Sequence, residues 1–475
     1  MPAIRPVPLC ASFALAICFV WQLPARGQPV TESFAPAAIA PAAVIPTLVV
    51  RDVTLFDSLA GTLLPNRTVV VAGERIAAVL PANDEFLLPA GAREIDGRGK
   101  FLLPGLIDAH VHLVHVLNFE QIAGEEILPL FLAAGVTSVR DTGDELVAQT
   151  RVARFAEEHP DRAPRVFMCS PLLDGNPPIH ADIGRGVPDP AEVPALVAEM
   201  AAAGVTTLKI YAGTPREVGR RVIEEGHRHG LAVTAHLGPY APLDAAADGI
   251  DCLEHIWSVF NYIVPAEAAA QPDGRATLDL HNPLAQALIA ELAARQVMVD
   301  PTLAVFRNMI LLSDQPEVLE HPDNALVPAR LRKAWTGYLS RLGLPNGDAA
   351  LRRAEFAKYQ ELTGLLYRAG VPLLAGTDTP EPYCTPGFSL HQELEMLVES
   401  GLPPAAALQA ATINNARALL QHEHLGSVEA GKLADMLLLD ADPLADIRHT
   451  RRIAAVIRGG IVCEPATLLE LVPKE

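Results

Sequence analysis

Positive charge is scarce in this sequence: 37 lysines and arginines face 56 aspartates and glutamates, a formal net charge of −19. Contact with a phosphate backbone or an anionic membrane surface needs clustered cations, so the balance argues against a nucleic-acid partner. Aromatic residues are also sparse, at 5%, which suits a large, loop-rich enzyme better than a stack of short aromatic strands. Cysteine is rare and scattered. Cys10 and Cys18 fall near the N-terminus, leaving Cys169, Cys252, Cys384 and Cys463. No Cys-x-x-Cys occurs, which excludes a zinc ribbon or a thioredoxin-type site. Buried thiols are the expectation, with one disulfide open if the chain is exported. No apolar run reaches the ~20 residues of a comfortable membrane span. What is present is ample: 475 residues, half of them hydrophobic and a fifth charged, enough for one large barrel plus a smaller domain.

The longest apolar run, Leu9–Leu23, follows Arg5 and is broken only by Ser12 and Gln22; Ala25-Arg26-Gly27 comes after it. A charged start, a short apolar stretch and a small-x-small triplet read as a secretory signal peptide over 1–27. The expectation is an exported protein, periplasmic or secreted, with no stable membrane span after cleavage. A retained membrane anchor is the alternative, and a lipid on Cys18 a weak third. Residues 28–46, rich in alanine and proline, read as a linker.

Both ends of the remaining chain are β-rich. Thr47–Phe56, Thr68–Ala72 and Arg75–Leu80 form a hairpin pattern, and Ala434–Asp440, Ile453–Arg458 and Ile461–Cys463 another around Gly459-Gly460. The centre alternates eight short apolar segments with helical runs. The strand candidates are Phe101–Ala109, Gly135–Arg140, Arg165–Cys169, Thr207–Tyr211, Ala232–Ala235, Ile250–Glu254, Val297–Pro301 and Pro372–Gly376. The helical runs are Glu125–Ala134, Ala191–Ala203, Arg216–Gly230, Leu284–Arg295 and Arg353–Ala369. Eight such units predict an α/β fold: a (β/α)8 TIM-like barrel with a small β-sandwich domain built from both chain ends. The expected boundaries are 47–102 for the first part of the sandwich, 103–426 for the barrel, 427–467 for the second part and 468–475 for a tail.

Catalytic groups of such a barrel sit where strands end. Those positions carry Asp108-Ala-His110-Val-His112, Lys209 with Tyr211, His236, His255 and Asp378. Side chains two apart on a strand share a face, pairing His110 with His112 and Lys209 with Tyr211. His-x-His recurs at His227/His229 and at His422/His424, but those fall near helix ends and read as solvated surface. Buried ionisable groups are costly unless paired or bound to metal, so four histidines, a lysine and an aspartate at strand ends point to metal ligation.

Pro104-Gly105-Leu106-Ile107-Asp108-Ala109-His110-Val111-His112-Leu113, Leu208-Lys209-Ile210-Tyr211, Thr234-Ala235-His236, Leu253-Glu254-His255 and Ala375-Gly376-Thr377-Asp378-Thr379 resemble the metal-dependent amidohydrolase superfamily. The resemblance is nearest to its imidazolonepropionase-related branch, which includes secreted Xaa-Pro and other dipeptidases and ochratoxin-type amidases. Leu390–Glu395, Ala411-Thr412 and Gly431–Asp435 look like that branch's tail. The resemblance covers about residues 47–465.

It implies that His110, His112 and Asp378 hold one divalent metal, His236 and His255 a second, and that a Lys209 carboxylated by CO2 bridges both. An ammonium cannot ligate a metal, but a desolvated, deprotonated lysine can take up CO2 as a carbamate. A salt-bridged Lys209 beside a single metal is the alternative. Mononuclear members lack this lysine, so its presence argues for the binuclear form, with zinc the best match to imidazole and carboxylate ligands. The implied chemistry is hydrolysis by an activated water, with Asp378 carrying the proton to the departing nitrogen. The implied function is cleavage of an amide-type C–N bond in an N-acyl amino acid, dipeptide or cyclic amide. A lactonase or phosphotriesterase using the same centre is the runner-up; a non-catalytic binding barrel is the remote alternative. The partner is a small-molecule substrate, and the family often forms homo-oligomers.

Tyr211, Arg140 and His180 are the candidate substrate contacts. Arg140 could take a carboxylate or pair with an internal acid. His180 lies in a loop, Leu172–Pro188, whose Asp174-Gly-Asn-Pro-Pro departs from the Gly-Gly-His type of related dipeptidases and argues against a simple dipeptidase. His115 reads as a structural hydrogen-bonding group. Val259–Leu280 and Val305–Asn346 read as long insertions over the barrel mouth, and their Phe306, Trp335 and Tyr338 suit either a bulky apolar substrate or packing among themselves.

Overall fold

Alternating apolar residues build the β-rich ends of the chain, and a computed structural model shows how they meet; it describes residues 47–81, 91–115 and 122–475. The expected signal peptide and linker lie outside those residues. Strands β1 (Leu48–Asp57), β2 (Thr62–Ala72) and β3 (Arg75–Pro81) form an antiparallel meander. Strands β4 (Arg93–Asp96) and β5 (Phe101–Pro104) lie parallel to β1.

The central strands are parallel. Strands β6 (Leu106–Val111), β7 (Val136–Asp141) and β8 (Arg165–Met168) form one sheet. A second sheet holds β9 (Leu172–Asp174), β10 (Gly184–Gly186), β11 (Thr207–Ile210), β12 (Ala232–Ala235), β13 (Cys252–Glu254) and β14 (Met298–Asp300), in the order β10-β9-β11-β12-β13-β14. Single bridges join the two sheets: Cys169 to Thr207, and, through residues 371–379, Val299 to Leu373 and Val111 to Thr379.

Two expectations change here. The strand expected over Phe101–Ala109 is two strands. Gly105 separates them at a point where any Cβ would sit 2.1 Å from the Thr137 hydroxyl. The eighth expected strand, Pro372–Gly376, forms only isolated bridges. Pro372 has no N–H to give a ladder, and Asp378 turns the chain with φ +60°.

The far end of the chain returns to the first sheet. Strand β15 (Met436–Leu439) lies antiparallel to β5, β16 (Ile453–Arg458) beside β15, and β17 (Ile461–Cys463) at the edge. Both ends therefore make one eight-stranded sheet. Period-two alternation gives it two buried faces. Met436 and Leu438 pack with Leu48, Val50, Val71 and Ile457 on one side. Leu437 and Leu439 join the main core on the other, with Phe56, Leu103 and Val456. This is how the terminal unit is fixed against the parallel strands.

Helices cover the parallel strands. Gly124–Ala133 and Val193–Ala202 end just before Gly135 and Gly204, both at positive φ, the left-handed residue that closes a helix. The helix Ala349–Arg368 is started by the Asp348 carboxylate, which accepts the N–H groups of Ala350 and Leu351. The four described cysteines are buried and free, so no disulfide joins them. No helix among the described residues is long and apolar enough to cross a membrane.

Candidate active site

The ends of the parallel strands open into one cavity of about 420 Å³, and most of the strand-end polar groups line it. His110, on β6, is fully buried, and His112 follows just past the strand. The His110 Nε2 atom lies 3.4 Å from Asp378 Oδ1, and His112 Nε2 lies 3.2 Å from the same oxygen. The His255 Nε2 atom is 3.9 Å from Asp378 Oδ2. The rings of His255 and His236 are 4.6 Å apart, as are those of His110 and His255. The floor is completed by Lys209, on β11 and 1% exposed, whose Nζ has no hydrogen-bond partner. His110 Nε2 is likewise buried and unpartnered.

Local backbone geometry aims these groups. His255 follows β13 directly and has φ +66°, and Asp378 has φ +60°. Neither is glycine, and such conformations persist in non-glycine residues only when the surroundings hold them. At His255 the turn breaks strand alternation, so Glu254 and His255 both face the interior. Gly376 keeps the floor open, because a Cβ there would lie 2.2 Å from Asp300 Oδ2 and 2.6 Å from His110 Cβ.

A ring of buried partners orients the imidazoles. His110 Nδ1–H donates to Glu254 Oε2 at 2.8 Å, which leaves Nε2 as the lone-pair nitrogen facing Asp378. His255 Nδ1 is 2.7 Å from the Thr302 hydroxyl. Glu254 is held in turn by Arg140 Nη2, at 2.6 Å, and by the Thr234 hydroxyl. The loop after β6 hangs on two carboxylates: Asp141 accepts from Leu113 N–H, and Asp144 from the N–H groups of Val114 and His115. Asp108 accepts from Thr377 through both its N–H and its hydroxyl, tying β6 to the Asp378 segment.

Burial sets the protonation states. It pushes His110 down to about 4 and His236 to about 3, so both imidazoles are neutral at pH 7. It also lowers the Lys209 ammonium, a direction that favours the free amine. Burial alone would raise the Asp378 carboxyl, but the imidazoles of His110, His112 and His255 outweigh it and hold the group well below the usual carboxylate range. Neutral imidazoles, a carboxylate and an amine losing its proton form a donor set suited to divalent cations rather than to an apolar ligand. His110, His255 and Asp378 already place one ligand atom each within 4.8 Å of one another.

Of the candidate substrate contacts, Tyr211 and His180 line the cavity; Tyr211 packs against both His180 and His236, with ring centroids 5.5 and 5.0 Å apart. Arg140 does not line it. Its guanidinium is 1% exposed and spent on Glu254 and the Ala109 carbonyl, so it cannot reach a substrate. His115 lines the cavity beside Glu381, 3.3 Å away. Phe306 and Tyr338 are wall residues, while Trp335 is fully buried and donates from Nε1 to the Pro380 carbonyl, propping the segment after Asp378. Trp257 and Glu381 are wall residues that strand-end reading passed over; both lie a turn beyond a strand-end ligand candidate. His227, His229, His422 and His424 are exposed, as their helix-end positions predict.

A family model described as the amidohydrolase family matches residues 101–462. An imidazolonepropionase of Aromatoleum aromaticum is 28% identical over 395 residues, covering 75% of this chain and 81% of that protein. Among solved structures, bottromycin amidohydrolase superposes with a TM-score of 0.70 at 24% identity, covering 89% of this chain and 88% of that one. A Xaa-Pro dipeptidase with methionine bound in its active site gives 0.65 at 20% identity, covering 88% and 99%. Both structural likenesses speak to the fold.

Proposed function

We propose a reactive centre and its ligands on one premise: this chain belongs to the amidohydrolase family and is a metal-dependent hydrolase acting on amide-type C–N bonds of a small-molecule substrate. The single observation that carries the centre is the meeting of four imidazoles, one amine and one carboxylate at the floor of one cavity, with His110 Nε2 and Lys209 Nζ buried and unpartnered. A buried polar atom left without a partner costs about 1–3 kcal/mol. Both atoms are accounted for if a cation completes His110 Nε2 and a carbamate forms on Lys209 Nζ.

In this reading His110, His112 and Asp378 would hold one divalent metal and His236 and His255 a second, with a carboxylated Lys209 as the ligand the two would share; zinc is the metal that best matches the donors. When bound, the metals supply a water acidic enough to act near neutral pH and polarise the substrate carbonyl. The chain's own residues do the rest. Asp378, ionised and within reach of three imidazoles, holds the proton taken from water and delivers it to the leaving nitrogen. Glu254 fixes the His110 tautomer. Tyr211, between His180 and His236, places a hydroxyl-bearing ring at the wall where a carbonyl would lie. Lactone or phosphotriester cleavage would use the same groups, but amide-cleaving relatives favour the C–N bond. Six filled positions speak against a binding-only barrel.

The same reading takes the two parallel sheets and their bridges as a (β/α)8 barrel, spanning about 103–426, and the end sheet as a sandwich curled around its own core. The parts over 47–102 and 427–467 are its two halves, with 468–475 a tail. Export rests on the Leu9–Leu23 run alone. Elemental analysis and turnover together test the centre. Purified protein should carry close to two divalent metals, lose amide hydrolysis on chelation and regain it with zinc. Asp378→Asn should retain most metal and lose turnover. A metal-free protein indifferent to chelators, or an active Asp378→Asn, refutes the assignment.

A further inference from the structure

The walls of this cavity carry a charge pattern that distinguishes among amide substrates. Above the floor they are largely apolar, formed by Leu172, Ile183, Trp257, Phe306, Met309 and Ile310. The lining includes a second carboxylate besides Asp378. Glu381 Oε1 lies 3.3 Å from His115 Nε2, and Glu381 Oε2 is buried with no hydrogen-bond partner. Among the described residues that line the cavity, the only lysine or arginine is Lys209, which sits in the floor.

The guanidiniums on surrounding elements are committed elsewhere. Arg275 binds Glu355, Asn261 and Tyr359. Arg307 donates to Asn308. Arg341, which stacks over the wall residue Tyr338 at 5.6 Å from its ring centroid, is exposed and does not itself line the cavity. Arg140 is locked on Glu254.

A carboxylate taken into such a space loses its water, and the one cation it finds above the floor among the described residues, the His115 imidazolium whose pKa Glu381 holds raised to about 9, is already paired with that carboxylate. An N–H or ammonium group instead meets the unpartnered Glu381 Oε2. We infer that this enzyme selects amides whose enclosed part is apolar, carries no carboxylate and offers an N–H or ammonium donor to Glu381: neutral or cationic amides rather than dipeptides or N-acyl amino acids with a free acid. The inference rests on the reading of Lys209 and Asp378 as metal-binding groups, which removes the floor amine as a partner for a substrate acid.

The test is three compounds with one scissile acetamide. They are N-acetyl-L-phenylalanine, N-acetyl-L-phenylalaninamide and the analogue with an aminomethyl group in place of the carboxylate, each given to the zinc-loaded enzyme. The expected result is kcat/KM for the amide and the amine at least about tenfold above the acid, the cost of one buried charge without a partner. Glu381→Gln should erase the advantage of the amine over the amide, and Glu381→Lys should turn the preference towards the acid. An acid hydrolysed as well as the amide, or better, overturns the inference. If none of the three is hydrolysed by protein that holds its metals, the amide-hydrolase reading fails for them. Calorimetric binding of the same three to the same protein then decides the charge preference: tighter amide and amine uphold it, an equal or tighter acid overturns it. The comparison on the unmodified enzyme stands whether or not the Glu381 variants fold.

Discussion

Replacing Glu254 with glutamine should damage stability and metal binding separately, by amounts the structure sets. Glu254 and Arg140 form an ion pair at 2.6 Å with side chains 0% and 1% exposed. Removing one charge of such a pair leaves the other buried without compensation, at a cost of about 3–5 kcal/mol. Glu254 also accepts the His110 Nδ1 proton. Glutamine can still accept it but is a weaker acceptor, and loss of such outer support costs about 10–100-fold in metal affinity. Urea unfolding of the metal-free protein isolates the first effect, and a competitive chelator titration of the loaded protein reads the second. Arg140→Met should lower stability by a similar amount while leaving the His110 hydrogen bond in place, so its metal affinity should fall less. The double variant should cost less than the sum of the singles by more than about 1 kcal/mol, because neither charge is then left alone. If either single variant stays within about 1 kcal/mol of the unmodified protein, or if the two add, the pair is not the support described here.

Lys209→Ala should reduce the metal count towards one and abolish turnover, and short carboxylates such as acetate or propionate should restore part of both; no rescue at high carboxylate speaks against the carbamate. His391, buried against the Ala134 carbonyl and the Thr450 hydroxyl, is pushed down to about 3 by burial. The unfolded chain therefore takes up a proton near pH 6.5 that the folded chain refuses, and stability is lost as pH falls below 6.5 towards 3. His391→Gln should remove that slope. Between pH 6.5 and 5 the unmodified protein should lose about 2 kcal/mol more than the variant in urea unfolding, and parallel curves refute the reasoning. Gly105→Ala should destabilise the chain by about 1–3 kcal/mol through collision with Thr137, read by the same unfolding assay; an unchanged midpoint means the β5–β6 junction is looser than its 2.1 Å gap requires.

Much of the candidate centre was legible because strand periodicity is short-ranged. Lys209 and Tyr211, two apart, do share the cavity. His110 and His112 both reach Asp378, although His112 lies one residue past β6. The two ends pair into one sheet: alternation runs through Met436–Leu439, and in β1 it holds on either side of an irregularity between Val50 and Val53, where Asp52 has φ +54° and shifts the inward set by one residue. What escaped depends on breaks in that periodicity. Arg140 sits at a strand end like the ligand candidates, and nothing in its own neighbourhood says that Glu254, on another strand, faces it. Glu254 and His255 are adjacent and should point oppositely; the left-handed backbone at His255 turns both inwards. Pro372 and the turn at Asp378 reduce the eighth strand to bridges. Glu381 and Trp257 lie beyond strands, where no period predicts a direction.

These breaks share a physical cause. A cluster of ionisable groups beneath the cavity, with Asp108, Arg140, Glu254 and Asp300 all at most 1% exposed, is expensive to bury. An apolar filling of the same strands would be more stable, so the cost must offset something other than folding. Each of the first three has a traceable duty towards a group at the floor: Asp108 ties Thr377 and so the Asp378 segment to β6, Glu254 aims His110, and Arg140 keeps Glu254 ionised. Asp300 has both oxygens unpartnered and sits against Gly376, where no side chain could fit. Its main-chain carbonyl accepts the His255 N–H at 2.8 Å and holds that residue in its left-handed turn, a contact that does not depend on the side chain at 300. The polar interior and the strained backbone are therefore one device, in which charge buried below the floor holds the imidazoles and the carboxylate above it in the directions a cation would need.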